Sequence, residues 1–276
     1  MKHTRVAVTP SDRAHREAVS AALFAAGAEG VIEEGESLVT VFADAAIADE
    51  AARGVRAADA SASVDCSGFE PGDWNSAWRS GVRAHRVGSL TIAPPWLANE
   101  SAPATTIVID PGLGFGTGEH ETTRGVLRLL AGVVREGDIV ADVGCGSGVL
   151  AIAAARLGAS RVAAIDNDAQ AISNADENVA SNAVGDRVTV VEGDAATLLS
   201  LLAPVRVIAA NIMASVLLDV WPAIDGALAP GGDVIVGGVL VTERDEFVGA
   251  LERRGWSVAR EDRDGAWWSA HVRRRA

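Results

Sequence analysis

Lysine is all but missing from this chain. Lys2 is the only one in 276 residues, and every other basic side chain is an arginine. Acids outnumber bases, for a formal net charge of −13. Such a surface repels phosphate backbones as a whole, so direct nucleic-acid binding is not expected, while a basic protein partner or a small cationic ligand is favoured. Cysteine is scarce too. Cys66 and Cys145 stand far apart, which excludes a disulfide scaffold, a zinc ribbon and a cysteine-ligated cluster. No apolar run approaches the ~18 residues of a membrane span, and MKHTRVAVTP carries no hydrophobic signal core. A cytoplasmic, monomeric protein with no membrane partner is expected. What remains is 49% hydrophobic and 22% charged, a globular composition long enough for one or two domains.

The pattern of elements divides the chain in three. Residues 1–68 read β-α-β-β-α-β, the split order of a small ferredoxin-like α+β domain. A strand at Arg5–Thr9 is followed by a helix that Ser11 or Asp12 can cap and Gly27 stops. Short strands over Gly30–Glu33 and Leu38–Phe42, a helix over Ala45–Ala58 and a strand over Ala62–Cys66 complete it. Residues 69–104 break the pattern with prolines, glycines and Trp74, Trp78 and Trp96. They read as a linker or connecting hairpin whose tryptophans pack between domains. From residue 105 to 276, strands and helices alternate. Continuous Val/Ala/Ile strands between helices imply an α/β domain, a doubly wound and mostly parallel sheet covered on both faces. The last two strands, Trp256–Arg260 and Trp267–Val272, read as an antiparallel edge. Trp221, Trp256, Trp267 and Trp268 read as packing residues, and Arg273–Arg275 as a solvated tail.

One turn stands out. The strand Ile139–Val143 runs into Asp142-Val143-Gly144-Cys145-Gly146-Ser147-Gly148 and then a helix. Glycines there let a ligand approach the backbone at a helix N-terminus. A dinucleotide fold would need its third glycine at the position of Val149, and a pyrophosphate would not tolerate Asp142 nearby. An acid suits a ligand that carries an amine. The next strand ends in Asp166, where a carboxylate can take both hydroxyls of a ribose. Ribose and amine without phosphate describe S-adenosylmethionine.

This D-x-G-x-G-x-G…D arrangement resembles the class I S-adenosylmethionine-dependent methyltransferases. Asp194 falls where that class places an acid against the adenine amino group, and it can equally cap the helix Ala195–Leu202. Two longer stretches sharpen the likeness: Asp110-Pro111-Gly112-Leu113-Gly114-Phe115-Gly116-Thr117-Gly118-Glu119-His120-Glu121-Thr122-Thr123 and Asn211-Ile212-Met213-Ala214. With Asp73-Trp74 and Trp78 upstream, the chain resembles the PrmA family of ribosomal protein L11 methyltransferases over essentially its whole length. The resemblance implies a small domain that holds the ribosomal protein and a large domain that methylates its amino groups. It implies cofactor contacts at Thr123, Gly144, Gly146, Gly148, Asp166, Asp194 and Asn211, with Phe115, Gly116, Thr117 and Asp142 close by, and no metal. Glu119 and Glu121 depart from the uncharged Thr and Pro usual in that loop. They either favour a basic substrate or are simply solvated.

Methyl transfer to an amine needs positioning and a neutral nucleophile rather than a strong base. The Asn211 side-chain oxygen and the Ile212 backbone carbonyl are the expected acceptors that aim the amine. His120 could accept a proton, but a loop histidine reads first as structural. Nucleobase methyltransferases carry a Pro-Pro-aromatic run where Ile212, Met213 and Ala214 stand, so a base has nothing to stack on. Two alternatives remain open: a lysine methyltransferase acting on a different protein, and a binding module without catalysis.

Overall fold

The computed structural model describes residues 3–12, 15–28, 31–69, 83–98, 105–110 and 120–275. They fall into two compact units, Met1–Gly81 and Val82–Ala276.

The smaller unit runs β1 (His3–Thr9), α1 (Arg16–Ala25), β2 (Ile32–Glu34), β3 (Ser37–Phe42), α2 (Ala45–Ala58) and β4 (Ser63–Phe69). Its antiparallel sheet has the order β2-β3-β1-β4, the ferredoxin-like arrangement expected from the element order. Alternation along β1 and β3 turns Val6, Val8, Leu38 and Phe42 to one face. Val19 and Leu23 of α1 and Ala48, Ala51 and Val55 of α2 cover them. Gly27, at φ +92°, ends α1 as anticipated. The helix starts later than Ser11, however. The Asp12 carboxylate instead accepts the His15 amide at 3.0 Å.

The larger unit opens with a hairpin, β5 (His85–Val87) and β6 (Leu90–Ala93), and β7 (Thr106–Val108) joins β6 in parallel. Residues 83–98 thus take the connecting-hairpin alternative read for 69–104, and they belong to this unit. One correction follows. The strand expected at Ile107–Asp110 sits in this separate three-stranded sheet, not in the large one. Trp96 is half-buried, while Trp74 and Trp78 lie outside the described residues.

The alternating part then gives α3 (Glu121–Ala131), β8 (Ile139–Val143), α4 (Val149–Arg156), β9 (Arg161–Asp166), α5 (Ala169–Ser181), β10 (Val188–Glu192), α6 (Ala195–Leu202), β11 (Val205–Asn211), α7 (Ala214–Ala227), β12 (Leu228–Leu240), α8 (Arg244–Arg253), β13 (Trp256–Asp264) and β14 (Trp267–Arg274). The seven-stranded sheet has the order β10-β9-β8-β11-β12-β14-β13. Its first five strands are parallel, and β14 enters antiparallel beside β12. This is a doubly wound sheet whose order reverses between β8 and β11, where such folds bind ligands at the carboxyl ends of their strands.

Trp221, Trp256 and Trp268 are wholly buried with Phe247 on one face of the sheet. Trp221 and Trp256 meet edge to face with centroids 5.0 Å apart. Arg273, Arg274 and Arg275 are not a free tail, because they pair with Asp233, Asp225 and Glu252 respectively. Among the described residues, no helix is long and apolar enough to cross a membrane.

Candidate functional site

The sheet's reversal point carries a cavity of about 500 Å³, a volume typical of small-molecule sites. The glycine turn between β8 and α4 makes one wall. Gly144, Gly146 and Gly148 all have positive φ, at +69°, +52° and +77°, a conformation that costs a side-chain-bearing residue strain. Space is tight as well. A Cβ on Gly144 would lie 2.4 Å from the Ile212 Cγ2, and one on Gly148 would lie 3.3 Å from the Ala175 Cβ. The Gly144 and Cys145 amides donate to the Ile165 carbonyl, tying the turn to β9.

Asp166 closes the end of β9. One carboxylate oxygen accepts the Gly146 amide at 2.9 Å and the other accepts the Asp168 amide at 3.1 Å. Each oxygen keeps a lone pair for a ligand. Asp194 follows β10 and caps α6 by accepting the Ala196 amide at 3.0 Å. Asp168 caps α5 in the same way. Asp166, Asp168 and Asp194 all line the cavity, and no Lys, Arg or His is among its described lining residues. That donor set suits a cation with hydroxyls and amino groups. It does not suit a pyrophosphate, which binds where amides and basic groups converge.

Asn211 ends β11. Its amide nitrogen donates to the hydroxyls of Thr122 and Thr123 at 3.3 and 3.4 Å. Thr122 also bonds the His120 Nδ1 at 2.9 Å, and His120 caps α3 and packs edge-on against Trp267. These contacts fix the amide plane of Asn211. Its Oδ1 is buried and has no hydrogen-bond partner, a condition that costs stability unless a ligand relieves it. Gly237 and Gly238 leave room beside both expected acceptors. A Cβ at Gly237 would stand 2.7 Å from the Asn211 Oδ1, and one at Gly238 would stand 2.4 Å from the Ile212 carbonyl oxygen.

Of the residues expected at the site, the cavity wall brings together Thr123, Gly144, Gly146, Asp166, Asp194, Asn211 and Ile212. Gly148 stands behind the turn against α5. Asp142 also lies behind the wall, fully buried, with one oxygen accepting the Ala151 amide at 3.0 Å and the other unpartnered. It therefore reaches a ligand as a charge beneath the turn, not as a lining group. Burial pushes its carboxyl up to about 7, with the Ala151 amide opposing and the nearby Asp166 reinforcing the shift. Burial likewise raises the Cys145 thiol far above its usual range, with Asp142 and Asp166 adding to it, so this thiol is no nucleophile. Phe115, Gly116 and Thr117 lie outside the described residues.

Sequence reasoning overlooked the Gly237-Gly238 pair. Its signal is two glycines interrupting an apolar strand. It also overlooked Asn167, Gln170, Val216 and Val220 on the wall, for which nothing local gives a sign. Among the described residues, no group of three or more His, Cys, Asp or Glu could hold a metal ion.

Residues 6–275 match the family described as ribosomal protein L11 methyltransferase (PrmA). A ribosomal protein L11 methyltransferase of Pelotomaculum thermopropionicum is 40% identical over 206 residues, 74% of this chain and 66% of that protein. One of Heliobacterium modesticaldum is 41% identical over 208 residues, 74% of this chain and 64% of that protein. The aligned part thus spans just under two thirds of these relatives' length. The crystal structure of a ribosomal protein L11 methylase from Lactobacillus delbrueckii subsp. bulgaricus superimposes with a TM-score of 0.62 at 32% identity, covering 71% of this chain and all of that one.

Proposed function

The chain belongs to the ribosomal protein L11 methyltransferase family, and from that premise we propose that it transfers methyl groups from S-adenosylmethionine to amino groups of ribosomal protein L11. Lysine side chains, the N-terminal amine or both are the acceptors. The observation that carries this reading is the pairing of a cavity whose charged described lining residues are all acidic with the buried, unpartnered Oδ1 of Asn211 at its edge.

The cofactor supplies a methyl group already activated on a cationic sulfur, so the protein's work is placement and exclusion of water. Asp166 offers its free lone pairs to ribose hydroxyls, held rigid by the two backbone amides it accepts. Asp194, held by the Ala196 amide, offers an acceptor to an adenine amino group. Asp142 adds negative potential beneath the glycine turn, which favours a bound cation. Asn211 accepts a hydrogen from the incoming amine through Oδ1, and the Ile212 carbonyl is the second acceptor.

The choice of an amide over a carboxylate at position 211 follows from the chemistry. A carboxylate would hold the amine as its ammonium form, which has no lone pair to attack with. A neutral carbonyl oxygen orients the amine without raising its pKa as strongly. Thr122 and Thr123 hold the other end of the amide, which supports the reading of the unpartnered oxygen as the acceptor.

Intact-mass spectrometry of unmethylated ribosomal protein L11, incubated with this protein and S-adenosylmethionine, tests the reading. A ladder of single-methyl increments is the expected result. An unchanged mass, with cofactor binding confirmed by calorimetry, would refute the substrate and leave the cofactor site in place.

A further inference from the structure

Helix α5 and its C-cap carry asparagines four residues apart at 174, 178 and 182. Asn178 and Asn182 are both only 2% exposed. Buried amides demand full hydrogen bonding, and both find it, but in different places. Asn182 spends its side chain on β7 and on the Asn178 backbone carbonyl, to which its nitrogen donates at 2.8 Å. It accepts the Val108 amide at 2.8 Å and donates to the Val108 carbonyl at 2.6 Å. Asn178 spans two segments. Its oxygen accepts the Asp110 amide at 3.0 Å, and its nitrogen donates to the Ser147 carbonyl, inside the glycine turn, at 3.0 Å. The same nitrogen donates to the Asn174 Oδ1 at 2.6 Å, which fixes the orientation of the amide. Ala175, one turn earlier on α5, fills the space beside Gly148.

We propose that Asn178 is a positioning residue for the cofactor, bracing the glycine turn from behind against the backbone at Asp110. The inference rests on the cofactor reading given above. The turn is built of three glycines in left-handed conformations, so its own backbone is the least self-determined part of the cavity wall. The Asn178 amide holds the Ser147 carbonyl between Gly146 and Gly148. That hydrogen bond fixes the Ser147–Gly148 peptide plane, at the end of the segment that carries Gly144 and Gly146 to the cavity. Asn178 does not line the cavity, so its effect on the ligand passes through the turn. The partners of Asn178 lie 31 and 68 residues away.

The test is a matched pair, N178D and N182D. Each keeps the shape and the acceptor oxygen and replaces the donor nitrogen, so each puts an oxygen against two carbonyl oxygens in an equally buried place. Thermal unfolding and calorimetric titration with S-adenosylhomocysteine are measured on wild type and both variants. Both variants are expected to lose similar thermal stability. N178D should bind S-adenosylhomocysteine about tenfold more weakly, and N182D within twofold of wild type. In turnover, N178D should raise KM for S-adenosylmethionine while leaving kcat and the KM for the protein substrate unchanged.

Equal affinities for wild type and N178D would overturn the inference and leave the cofactor reading intact. So would N182D losing as much affinity as N178D. A wild type that does not bind S-adenosylhomocysteine would overturn the cofactor reading, and the inference with it. If N178D does not fold, amide hydrogen exchange on the wild type decides. S-adenosylhomocysteine should slow exchange of the Asp110 amide, which the brace couples to the turn, and an unchanged rate would refute the coupling.

Discussion

Two aspartates in the same sheet, both wholly buried, have opposite surroundings. Asp233 sits on β12, level with the early part of β11, away from the cavity. It receives hydrogen bonds from Arg206 at 2.5 Å, His271 Nε2 at 2.7 Å, and Arg273. Asp142 sits at the carboxyl end of β8, beneath the glycine turn, with a single backbone amide for a partner. Burial alone would raise both carboxyls. At Asp233 the hydrogen bonds of Arg273, His271 and Arg206 outweigh burial and hold it near 2. At Asp142 nothing comparable opposes burial, and it stands near 7. A fully paired charge locks strands together. An under-paired one stores unfavourable energy that a cationic ligand can relieve. The sheet thus concentrates its stability at one end and its function at the other.

Breaking the locked end should give the largest effect on stability. Asp233→Asn leaves two arginines and a histidine without their anion, and we expect a loss of about 3–5 kcal/mol, or roughly 10 °C in Tm. Activity per folded molecule should not change. The sign with pH is fixed by the depressed carboxyl. Its contribution is present above pH ~4 and is lost as pH falls toward about 2, so the gap between variant and wild type should narrow on acidification. Thermal melts across that range, with turnover assayed at neutral pH, check this. A fall in kcat matching the fall in stability would abolish the division between the two ends.

At the cavity end the expectation is reversed. Asn211→Ala should lower kcat on the order of a hundredfold and shift Tm far less than Asp233→Asn, because the Oδ1 it removes is unpartnered and the amide nitrogen it removes makes only two long hydrogen bonds, to Thr122 and Thr123. Asn211→Asp should be as damaging at pH 7, because the carboxylate holds the amine in its ammonium form, and recover partly at pH 9, where the higher pH removes that proton. Steady-state kinetics at the two pH values separate these outcomes, and a pH-independent defect in the Asp variant would remove electrostatics from the explanation.

Local spacing made the cavity end readable. Glycines at alternate positions after a strand and an acid closing the next strand read from spacing, while Asn211 closing the fourth reads from the family resemblance. Each landed on the wall or against it. What spacing could not convey was depth. Asp142 reads as a ligand contact, and only the packed fold shows Ala151 and the turn lying over it. Long-range partners were equally hidden. Arg273–Arg275 read as a solvated tail because Asp233, Asp225 and Glu252 lie 40, 49 and 23 residues away. Asn178 gave no sign for the same reason. The strand at Thr106–Val108 looked like the others in composition, and nothing local says that it pairs with a hairpin instead of the large sheet.

The smallest effect expected is the most discriminating. Between pH ~4 and about 7 the native state keeps a proton on Asp142 that the unfolded chain has released. Stability therefore declines as pH rises through that window and levels off above it. The full penalty is about 4 kcal/mol as an upper bound. Asp142→Asn escapes it, but buries an amide N–H without an acceptor, which costs about 1–3 kcal/mol. A net gain of about 1–3 kcal/mol at pH 8 follows, shrinking to nothing or reversing at pH 4. The same substitution removes the charge beneath the turn, so affinity for S-adenosylmethionine should fall as stability rises. Melts at the two pH values, paired with cofactor titration at pH 8, measure both. A gain that does not change with pH would mean that Asp142 is not strained by its charge. A stable variant with undiminished affinity would mean that its charge does not reach the ligand.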